Sequence, residues 1–299
     1  MDMIKGDMAM SNIVIKNVTK SYQRKEALSN ISINIEEGKI YGLLGRNGAG
    51  KTTLLHLITN RAILDSGEIL IDDENIYENN KALSKVYFME EKNLFPESMK
   101  IVDIFEWTKE FYEDFDMEYA IKLSELFKLN IKKKVKSLST GYKSISKIIA
   151  TLASGAEILI FDEPILGLDA NHRELFYKEL LKIYGEGEKT IVISTHIIEE
   201  ISHLLEKVVI LKDGKIIESD SVENMLNLAY AVSGSSDDVD KYITAKNTID
   251  IETLGSYKKA TILQERTKED LDNVKKLELE ISTVELQKLF IYLTNMEEK

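Results

Sequence analysis

The chain has 299 residues, of which 43% are hydrophobic and 30% charged, with no cysteine and a formal net charge of −12. This composition is typical of a folded globular protein that has one large domain, or a large domain and a smaller appendage. It excludes a disulfide framework and a thiolate metal site. The acidic balance argues against a nucleic-acid partner, whose binding requires a basic surface.

The first ten residues, MDMIKGDMAM, precede the first strand-like segment. They lack the continuous apolar core of a signal peptide, and we expect residues 1–10 to be a disordered tail or a cloning remnant. No apolar run in the chain approaches the ~20 residues that a membrane-spanning helix requires. Any action on a membrane is therefore expected to depend on a separate membrane subunit.

Short apolar segments alternate with longer helical patterns, which predicts an α/β fold with a largely parallel sheet. Several segments are nearly continuous apolar runs, as in strands that are buried on both faces. Strands are predicted at Ile31–Ile35, Ile40–Leu44, Ile158–Phe161, Ile191–Ile193, Val208–Leu211 and Lys215–Ile217. The last two flank Asp213-Gly214, which predicts a hairpin turn. We place the main domain at residues 11–219.

A helical insertion is predicted within this domain at about residues 96–150. Apolar residues recur at helical spacing from Ile101 to Tyr112, and again from Ala120 to Phe127. The insertion also concentrates aromatic residues, namely Phe95, Phe105, Trp107, Phe111, Tyr112 and Phe115. These side chains either pack the core of the insertion or form a groove for a partner, because aromatic residues are enriched at protein interfaces.

The pattern changes at residues 220–299, which predict a small α+β appendage with an accessory or regulatory role. Ser233–Ser236 is predicted to be a loop, and strands are predicted at Ile249–Ile251 and Ala260–Leu263. Ser282-Thr283-Val284-Glu285 has the pattern of a capping box, which predicts the start of an amphipathic helix.

A phosphate-binding motif lies between a predicted strand and a predicted helix. Gly45-Arg46-Asn47-Gly48-Ala49-Gly50-Lys51-Thr52 matches the pattern G-x-x-x-x-G-K-[ST], whose backbone N–H groups surround a phosphate at a helix N-terminus. Lys51 can reach the β- and γ-phosphates, and the hydroxyl of Thr52 can ligate Mg²⁺. The predicted nucleotide-binding residues of this motif are Asn47, Gly48, Ala49, Gly50, Lys51, Thr52 and Thr53.

Two adjacent carboxylates follow the predicted strand Ile158–Phe161. Asp162 lies at the carboxyl end of the strand, where it can hold Mg²⁺ beside Thr52, so these two residues are the predicted metal ligands. Glu163 can polarise the water that attacks the γ-phosphate. A second carboxylate next to the metal ligand favours hydrolysis over phosphoryl transfer to a small molecule.

Four further features, together with this motif, resemble the ATP-binding subunits of ABC transporters. Leu138-Ser139-Thr140-Gly141-Tyr142 resembles the LSGGQ signature of that family, and Gly167-Leu168-Asp169 resembles its D-loop. His196 follows a predicted strand, as the switch histidine of the family does, and Tyr22 lies where the family has an aromatic residue that stacks on adenine. The resemblance covers about residues 13–220.

This resemblance implies a P-loop NTPase fold of the ABC type, with a mixed sheet and an inserted helical subdomain. The catalytic residues would be Glu163 and His196, and Tyr22 would contribute to nucleotide binding. The cofactors would be ATP and Mg²⁺, and the reaction would be hydrolysis of ATP to ADP and phosphate coupled to transport.

The resemblance also implies partners. Two ATPase subunits, identical or different, would pair head to tail around two ATP molecules. Ser139 and the backbone N–H of Gly141 would contact the γ-phosphate bound by the opposite subunit, and Asp169 would contact that subunit directly. Integral membrane permease subunits would complete the transporter, and this chain would lie on the cytoplasmic face of a bacterial membrane.

Two motifs depart from the family pattern. The signature has Thr140 in place of glycine and Tyr142 in place of glutamine, and a β-branched residue restricts the backbone more than glycine does. Glu90 takes the glutamine position of the Q-loop, which adds negative charge near the phosphates. With Phe111–Asp116, these departures resemble a branch of Gram-positive exporters of antibiotics, bacteriocins and amphipathic peptides, to which staphylococcal exporters of phenol-soluble modulins belong. We therefore expect export of a peptide, toxin or antibiotic.

Two other functional classes stay open beside an exporter. The first is a soluble ABC-type ATPase that acts in translation or iron–sulfur assembly, although translation factors of this superfamily usually carry two cassettes in one chain. The second is a signalling module in which ATP binding alone matters, and the presence of Glu163 and His196 disfavours it. Co-purification with a membrane protein would separate the exporter from both.

Overall fold

The computed structural model of the chain describes residues 11–187 and 189–295. The tail predicted at residues 1–10 lies outside the described residues. The fold divides into two units, each with its own internal contacts. The first unit runs from the first described residue to His196 and also includes Val209–Glu218. The second comprises Ile197–Val208 and the described residues from Ser219 onward.

The elements are numbered in chain order. The strands are β1 (Ser11–Tyr22), β2 (Lys25–Glu36), β3 (Ile40–Gly45), β4 (Ser66–Ile71), β5 (Glu74–Asn75), β6 (Val86–Met89), β7 (Ile158–Asp162), β8 (Thr190–Thr195), β9 (Lys207–Lys212), β10 (Lys215–Ser221), β11 (Tyr230–Ser235), β12 (Thr248–Leu254), β13 (Tyr257–Ile262) and β14 (Glu280–Thr283). The helices are α1 (Lys51–Ile58), α2 (Asn80–Ser84), α3 (Ile101–Phe111), α4 (Met117–Leu126), α5 (Thr140–Leu152), α6 (Ala170–Glu186), α7 (Ile198–Ile201), α8 (Val222–Asn227), α9 (Ser236–Ile243), α10 (Lys268–Lys276) and α11 (Leu286–Asn295).

A six-stranded sheet with the order β10-β9-β3-β8-β7-β6 forms the centre of the nucleotide site. The pairs β3–β8, β8–β7 and β7–β6 are parallel. β3, β7 and β8 are buried along their whole length, which explains their continuous apolar sequences. Because these strands are parallel, their carboxyl ends meet at one edge of the sheet. Gly45, Asp162 and Thr195 therefore lie close together although they are far apart in sequence.

A second, antiparallel sheet with the order β2-β1-β4-β5 completes the framework of the first unit. One hydrophobic core joins this sheet, helix α1 and the parallel sheet; among its buried residues are Ile13, Ile31, Leu55, Ile160 and Val209. The predicted hairpin at Asp213-Gly214 is confirmed, because it connects the neighbouring strands β9 and β10. This shared core fixes the position of α1 against the strands that carry the carboxylates.

The predicted helices at Ile101–Tyr112 and Ala120–Phe127 are confirmed by α3 and α4. These two helices pack against each other and against α5. The rings of Phe105 and Phe115 are buried, with their centroids 6.2 Å apart. Part of the aromatic pattern of the insertion therefore forms its own core.

The second unit has the element order β11-α9-β12-β13-α10-β14, which is the β-α-β-β-α-β arrangement of ferredoxin-like folds. Its sheet has the order β12-β13-β11-β14, and all of these pairs are antiparallel. Val239 of α9 and Val274 of α10 pack with Tyr230, Val232 and Ile262 of the sheet. The unit thus has its own hydrophobic core.

Two local predictions for this unit are wrong. Ser233–Ser236 is not a loop, because Ser233 to Ser235 end strand β11 and Ser236 begins helix α9. Ser235 is the N-cap of α9, and its hydroxyl accepts a hydrogen bond from the backbone N–H of Asp238 at 3.3 Å. Ser282 does not cap a helix either, because it lies in β14 opposite Ala231, and α11 begins only at Leu286. In both cases, pairing with a neighbouring strand places serine residues in a β-strand, although their local sequence does not favour one.

Candidate nucleotide-binding and catalytic site

The loop between β3 and α1 is shaped by glycines in close contact with the surrounding backbone. Gly50 is the N-cap of α1, with φ at 109°, a conformation that glycine adopts readily and other residues rarely do. A Cβ atom at Gly50 would lie 2.8 Å from the carbonyl oxygen of Ala27, and one at Gly45 would lie 2.8 Å from that of Leu211. Within the described part of the chain, no side chain caps α1. Its first N–H groups therefore remain free to bind an anion.

Lys51 is buried at the start of α1. Its Nζ donates a hydrogen bond to the carbonyl oxygen of Gly45 at 2.7 Å and lies 4.0 Å from Oε1 of Glu163. Burial lowers the pKa of Lys51, while the charges of Glu163, Asp162 and Glu91 act in the opposite direction. The lysine is thus a desolvated cation in the electrostatic field of three carboxylates, and an anionic ligand at this place would gain from its charge.

Thr52 and Asp162 form a pair of oxygen ligands. The hydroxyl of Thr52 donates a hydrogen bond to Oδ2 of Asp162 at 2.8 Å. The other carboxylate oxygen, Oδ1, is buried and has no hydrogen-bond partner in the part of the chain that the structure describes. Because an unpaired buried acceptor is costly, this oxygen fits a ligand that is not part of the chain. Carboxylate and hydroxyl oxygens are ligands that Mg²⁺ prefers, so the two residues fit a magnesium ion.

Glu163 is held in a defined orientation by the end of β8. Its Oε1 lies 2.8 Å from Nδ1 of His196, and its Oε2 accepts a hydrogen bond from the hydroxyl of Thr195 at 3.1 Å. The backbone N–H of Glu163 donates to the carbonyl oxygen of Ser194 at 2.9 Å. Its φ of 49° lies in the left-handed region, which non-glycine residues rarely occupy. Such backbone strain is common at active sites, where it helps to fix the orientation of a side chain.

These groups open onto a cleft with a volume of ≈ 490 Å³. The predicted residues that line it are Tyr22, Asn47, Gly48, Ala49, Gly50, Lys51, Thr52, Thr53, Asp162 and Glu163. The ring of Tyr22 is exposed, with Nζ of Lys20 5.2 Å from its centroid. His196 is joined to the same site through Glu163.

The cleft also contains residues that were not predicted as site residues: Lys25, Glu26, Ala27, Arg46, Glu91, Asp213 and Gly214. Arg46 lies inside the phosphate-binding motif, so its place in the cleft could have been expected. Asp213-Gly214 was predicted only as a turn. The backbone N–H of Gly214 donates a hydrogen bond to the carbonyl oxygen of Ala49 at 3.0 Å, which brings the turn to the cleft. No sequence pattern predicts this tertiary contact.

Ser139, Gly141 and Asp169 do not line the cleft of their own chain. Ser139 is exposed and is the N-cap of α5. Gly141 lies against Gly167, and a Cβ atom at position 141 would come within 2.7 Å of the carbonyl oxygen of Gly167. This close approach explains why glycine stands at position 141, because a side chain there would separate the start of α5 from the D-loop segment.

Asp169 is the exposed N-cap of α6. It accepts hydrogen bonds from the backbone N–H of His172 at 2.9 Å and lies 2.8 Å from Nδ1 of the same histidine. The backbone and side-chain hydrogen bonds from His172 lower the pKa of Asp169, although slight burial opposes them. Asp169 therefore stays negatively charged at neutral pH on the surface of the first unit.

The structure separates Glu90 from the other predicted site residues. Its Oε2 lies 2.6 Å from Nη1 of Arg61, and its Oε1 lies 3.3 Å from Nε2 of His56. These contacts turn the carboxylate away from the cleft and into a neighbouring groove. The next residue, Glu91, lines the nucleotide cleft instead.

This groove has a volume of ≈ 390 Å³ and is bordered by β6, the segment after it, α3 and α5. Its aromatic and aliphatic lining includes Tyr87, Leu94, Phe95, Trp107, Phe111 and Tyr112. Trp107 is 57% exposed and Phe111 is 74% exposed, in contrast to the buried rings of Phe105 and Phe115. Burial raises the pKa of Tyr87 to about 12, so its phenol stays neutral. Some aromatic residues of the insertion thus pack in its core, and others line the groove.

Comparison with known proteins agrees with this geometry. Residues 28–166 match the family described as ABC transporter. The chain is 30% identical over 204 residues to the ABC transporter ATP-binding protein YtrB of Bacillus subtilis, covering 68% of this chain and 70% of YtrB. It is 32% identical over 222 residues to the lantibiotic transport ATP-binding protein SrtF of Streptococcus pyogenes, covering 72% of this chain and 94% of SrtF.

Solved structures show the same fold. The dimeric structure of MJ0796, a bacterial ABC transporter cassette, superposes with a TM-score of 0.64 at 26% identity and covers 70% of this chain and 98% of MJ0796. The same cassette is also known in a dimeric post-hydrolysis state bound to ADP and Pi. The site and the fold define an ATP-binding cassette of the P-loop class, as the sequence predicted. The chain belongs to the family of ABC transporter ATP-binding proteins.

Proposed function

We propose that this chain is a Mg²⁺-dependent ATPase subunit that hydrolyses ATP to drive export through separate membrane subunits. The observation that carries the proposal is the position of the Glu163 carboxylate, 2.8 Å from His196 and 4.0 Å from the ammonium of Lys51. A carboxylate that contacts both an imidazole and the cation of a phosphate-binding loop is placed to activate water beside a γ-phosphate.

Binding of ATP would begin with groups that are already oriented. The uncapped N–H groups at the start of α1 and the ammonium of Lys51 would hold the β- and γ-phosphates. The exposed ring of Tyr22 at the rim of the cleft would stack on adenine. Lys51 would replace its hydrogen bond to the Gly45 carbonyl with hydrogen bonds to phosphate oxygens. Charged phosphate oxygens are stronger acceptors for an ammonium group.

Hydrolysis would then rest on Glu163 and His196. Glu163 would take a proton from the attacking water, whose oxygen bonds to the γ-phosphorus while the bond to the β–γ bridging oxygen breaks and ADP departs. His196 would hold the carboxylate in place and help to orient the γ-phosphate. Bound Mg²⁺, held by Thr52 and Asp162, would supply positive charge to the β- and γ-phosphate oxygens.

The proposed working form is a dimer with two ATP molecules at its interface. Ser139 and Gly141 lie outside the cleft of their own chain, as residues that complete the site of a partner subunit would. The exposed, charged Asp169 would contact that subunit. The dimeric structures of the related cassette MJ0796 support this arrangement.

Export is proposed because the lantibiotic transport ATP-binding protein SrtF is matched over 94% of its length. We propose a peptide, toxin or antibiotic as the cargo and the groove beside Trp107 as the contact for the membrane subunits, on the cytoplasmic face of the membrane. Among the described residues, no helix is long and apolar enough to cross a bilayer. We further propose that residues 220–299 are an accessory or regulatory appendage, since they have a hydrophobic core of their own and none of those that the structure describes lines the cleft.

Co-expression with an integral membrane protein encoded by a neighbouring gene, as a candidate partner, tests the proposal. We expect the two proteins to co-purify, and we expect phosphate release that requires ATP and Mg²⁺ and stops when the metal is chelated. An active, Mg²⁺-dependent ATPase with which no membrane protein co-purifies would favour a soluble ABC-type ATPase. Nucleotide binding without hydrolysis would contradict the proposed reaction.

A further inference from the structure

A buried lysine lies between the groove and the nucleotide cleft. Lys147 on α5 is only 7% exposed. Its Nζ donates hydrogen bonds to the carbonyl oxygens of Glu90 at 2.7 Å and of Glu91 at 2.5 Å. None of the nucleotide-binding motifs includes this residue.

The burial of this ammonium group needs a reason, because lysine is rarely found in the interior without a partner. Burial lowers the pKa of Lys147 to about 8, while the charges of Glu91, Glu90 and Asp162 act in the opposite direction. Its direct acceptors are two neutral carbonyl groups of consecutive residues. A methionine or leucine would fill the same space, but it would leave both carbonyl groups without this donor.

The two carbonyl groups belong to the segment that separates the cavities. Glu90 lines the groove and Glu91 lines the nucleotide cleft. Lys147 itself lines the groove beside Trp107. Its helix begins at the signature, where Ser139 is the N-cap. A single ammonium group therefore joins the wall between two cavities to the helix that carries the signature.

We propose that Lys147 is a positioning residue that couples the groove to the nucleotide cleft by holding the Glu90–Glu91 backbone against the signature helix. This inference rests on the proposed nucleotide site. A displacement of Glu91 by bound nucleotide would move the Glu90 carbonyl and, through Lys147, helix α5 and the wall of the groove. Without the ammonium group, the two cavities would respond independently.

Trp107 offers a direct readout, because it is the single tryptophan of the chain and lies in the groove, 57% exposed. The experiment measures Trp107 fluorescence while the full-length protein is titrated with Mg²⁺ and the non-hydrolysable analogue AMP-PNP. Calorimetry on the same samples measures binding separately. Size-exclusion chromatography measures dimer formation, which also can alter the emission.

In the wild type, we expect binding to change the emission of Trp107. In Lys147→Met, we expect binding and dimer formation to persist while the emission change is lost. Lys147→Arg, which keeps the charge and several donors, should retain the change. If Lys147→Met does not fold, Lys147→Gln should show the same loss, because its shorter amide cannot reach both carbonyl groups.

Lys189 provides a matched control. Its Nζ also donates to two consecutive carbonyl groups, those of Gly155 and Ala156, both at 2.8 Å, but it lines neither cavity. Lys189→Met should keep the full emission change. A wild-type amplitude in Lys147→Met, or an unresponsive Trp107 in wild-type protein that binds AMP-PNP, would overturn the coupling role. Absence of AMP-PNP binding in the wild type would instead refute the proposed function.

Discussion

The carboxylate of Glu163 lies 2.8 Å from Nδ1 of His196, although the two residues are 33 positions apart in sequence. Adjacent parallel strands bring them together, because Asp162 at the end of β7 lies opposite Ser194 on β8. Each side chain thus projects from the same edge of the sheet. His196 contacts Oε1 and the hydroxyl of Thr195 donates to Oε2, so the two residues together fix the orientation of the carboxylate.

Glu163→Gln should keep ATP affinity while slowing hydrolysis by at least ~10²-fold, the scale for loss of a general base. Glutamine has the same shape and can still accept the hydrogen bond from Thr195, but it cannot take a proton from water. Calorimetry and a phosphate-release assay measure the two effects. Size-exclusion chromatography with ATP should show a trapped dimer.

The matched control is Glu179→Gln. Glu179 is also buried and accepts a hydrogen bond from the hydroxyl of Tyr119 at 2.9 Å, but it does not line the cleft. It should hydrolyse ATP at the wild-type rate. If Glu163→Gln also retained that rate, the general base would have to be another residue.

Lys51→Ala should abolish measurable binding of Mg-ATP. The ammonium group is the buried cation of the phosphate-binding loop, and its hydrogen bond to Gly45 holds it where the β- and γ-phosphates are proposed to bind. Lys189→Ala removes another partly buried lysine and should leave affinity unchanged. Equal affinity of the Lys51 variant and wild type in calorimetry would contradict the assignment of the loop.

Some of this site can be predicted from sequence and some cannot. Lys51, Thr52 and Asp162 lie in short motifs whose strand–loop–helix context fixes their direction. The orientation of the Glu90 side chain depends on Arg61 and His56. These residues come from a different part of the chain and hold the carboxylate in the groove. No pattern around Glu90 contains that information.

The same limit applies to the second unit. Ser235 and Ser282 have similar local sequences, rich in serine and threonine, and both were predicted outside strands. Pairing with β13 and β14 makes Ser233 to Ser235 the end of a strand, and pairing with β11 places Ser282 in β14. The strands at Ile249–Ile251 and Ala260–Leu263 could be predicted, because their apolar residues alternate with polar ones. Local propensity is decisive only where no neighbouring strand competes for the backbone.

Asp270→Asn should destabilise the second unit. The carboxylate is 1% exposed, forms an ion pair with Lys246 and accepts hydrogen bonds from the hydroxyls of Tyr242 and Thr267. The variant leaves the ammonium of Lys246 without its charge partner. Because Lys246 is partly exposed and its ammonium can be solvated, we expect a loss of about 1–3 kcal/mol in unfolding free energy, the cost of removing one partner of a buried hydrogen bond, which urea unfolding at neutral pH can measure.

The pH dependence of this effect has a defined sign. Burial raises the pKa of Asp270, but hydrogen bonds from Lys246 and Thr267 outweigh it and hold the pKa below the ordinary value of 3.8. The stabilisation is therefore complete above pH ~4 and is lost as the pH falls through the lower, folded-state pKa. The difference between wild type and Asp270→Asn should shrink in acid. The exposed ion pair of Asp250 with Lys288 is the control, and Asp250→Asn should cost only about 0–1 kcal/mol.

Charged substitutions in the groove should separate ATP hydrolysis from transport. Trp107 and Phe111 are exposed and line the groove, so Trp107→Glu and Phe111→Glu can change its surface without a cavity in the core. We expect basal ATPase activity to persist, because neither residue lines the nucleotide cleft. Co-purification with the membrane subunit and export should be lost, because exposed aromatic anchors contribute much of the energy of protein interfaces.

The control for the groove is Ile121→Glu on α4. Ile121 is an exposed apolar residue of the same subdomain that does not line the groove. This variant should assemble and export normally, which would show that an added charge on the subdomain is tolerated. If the groove variants also assemble and export like the wild type, the membrane subunit binds elsewhere. If they unfold, circular dichroism will show it, and the milder Phe111→Ser should then lose co-purification while keeping the fold.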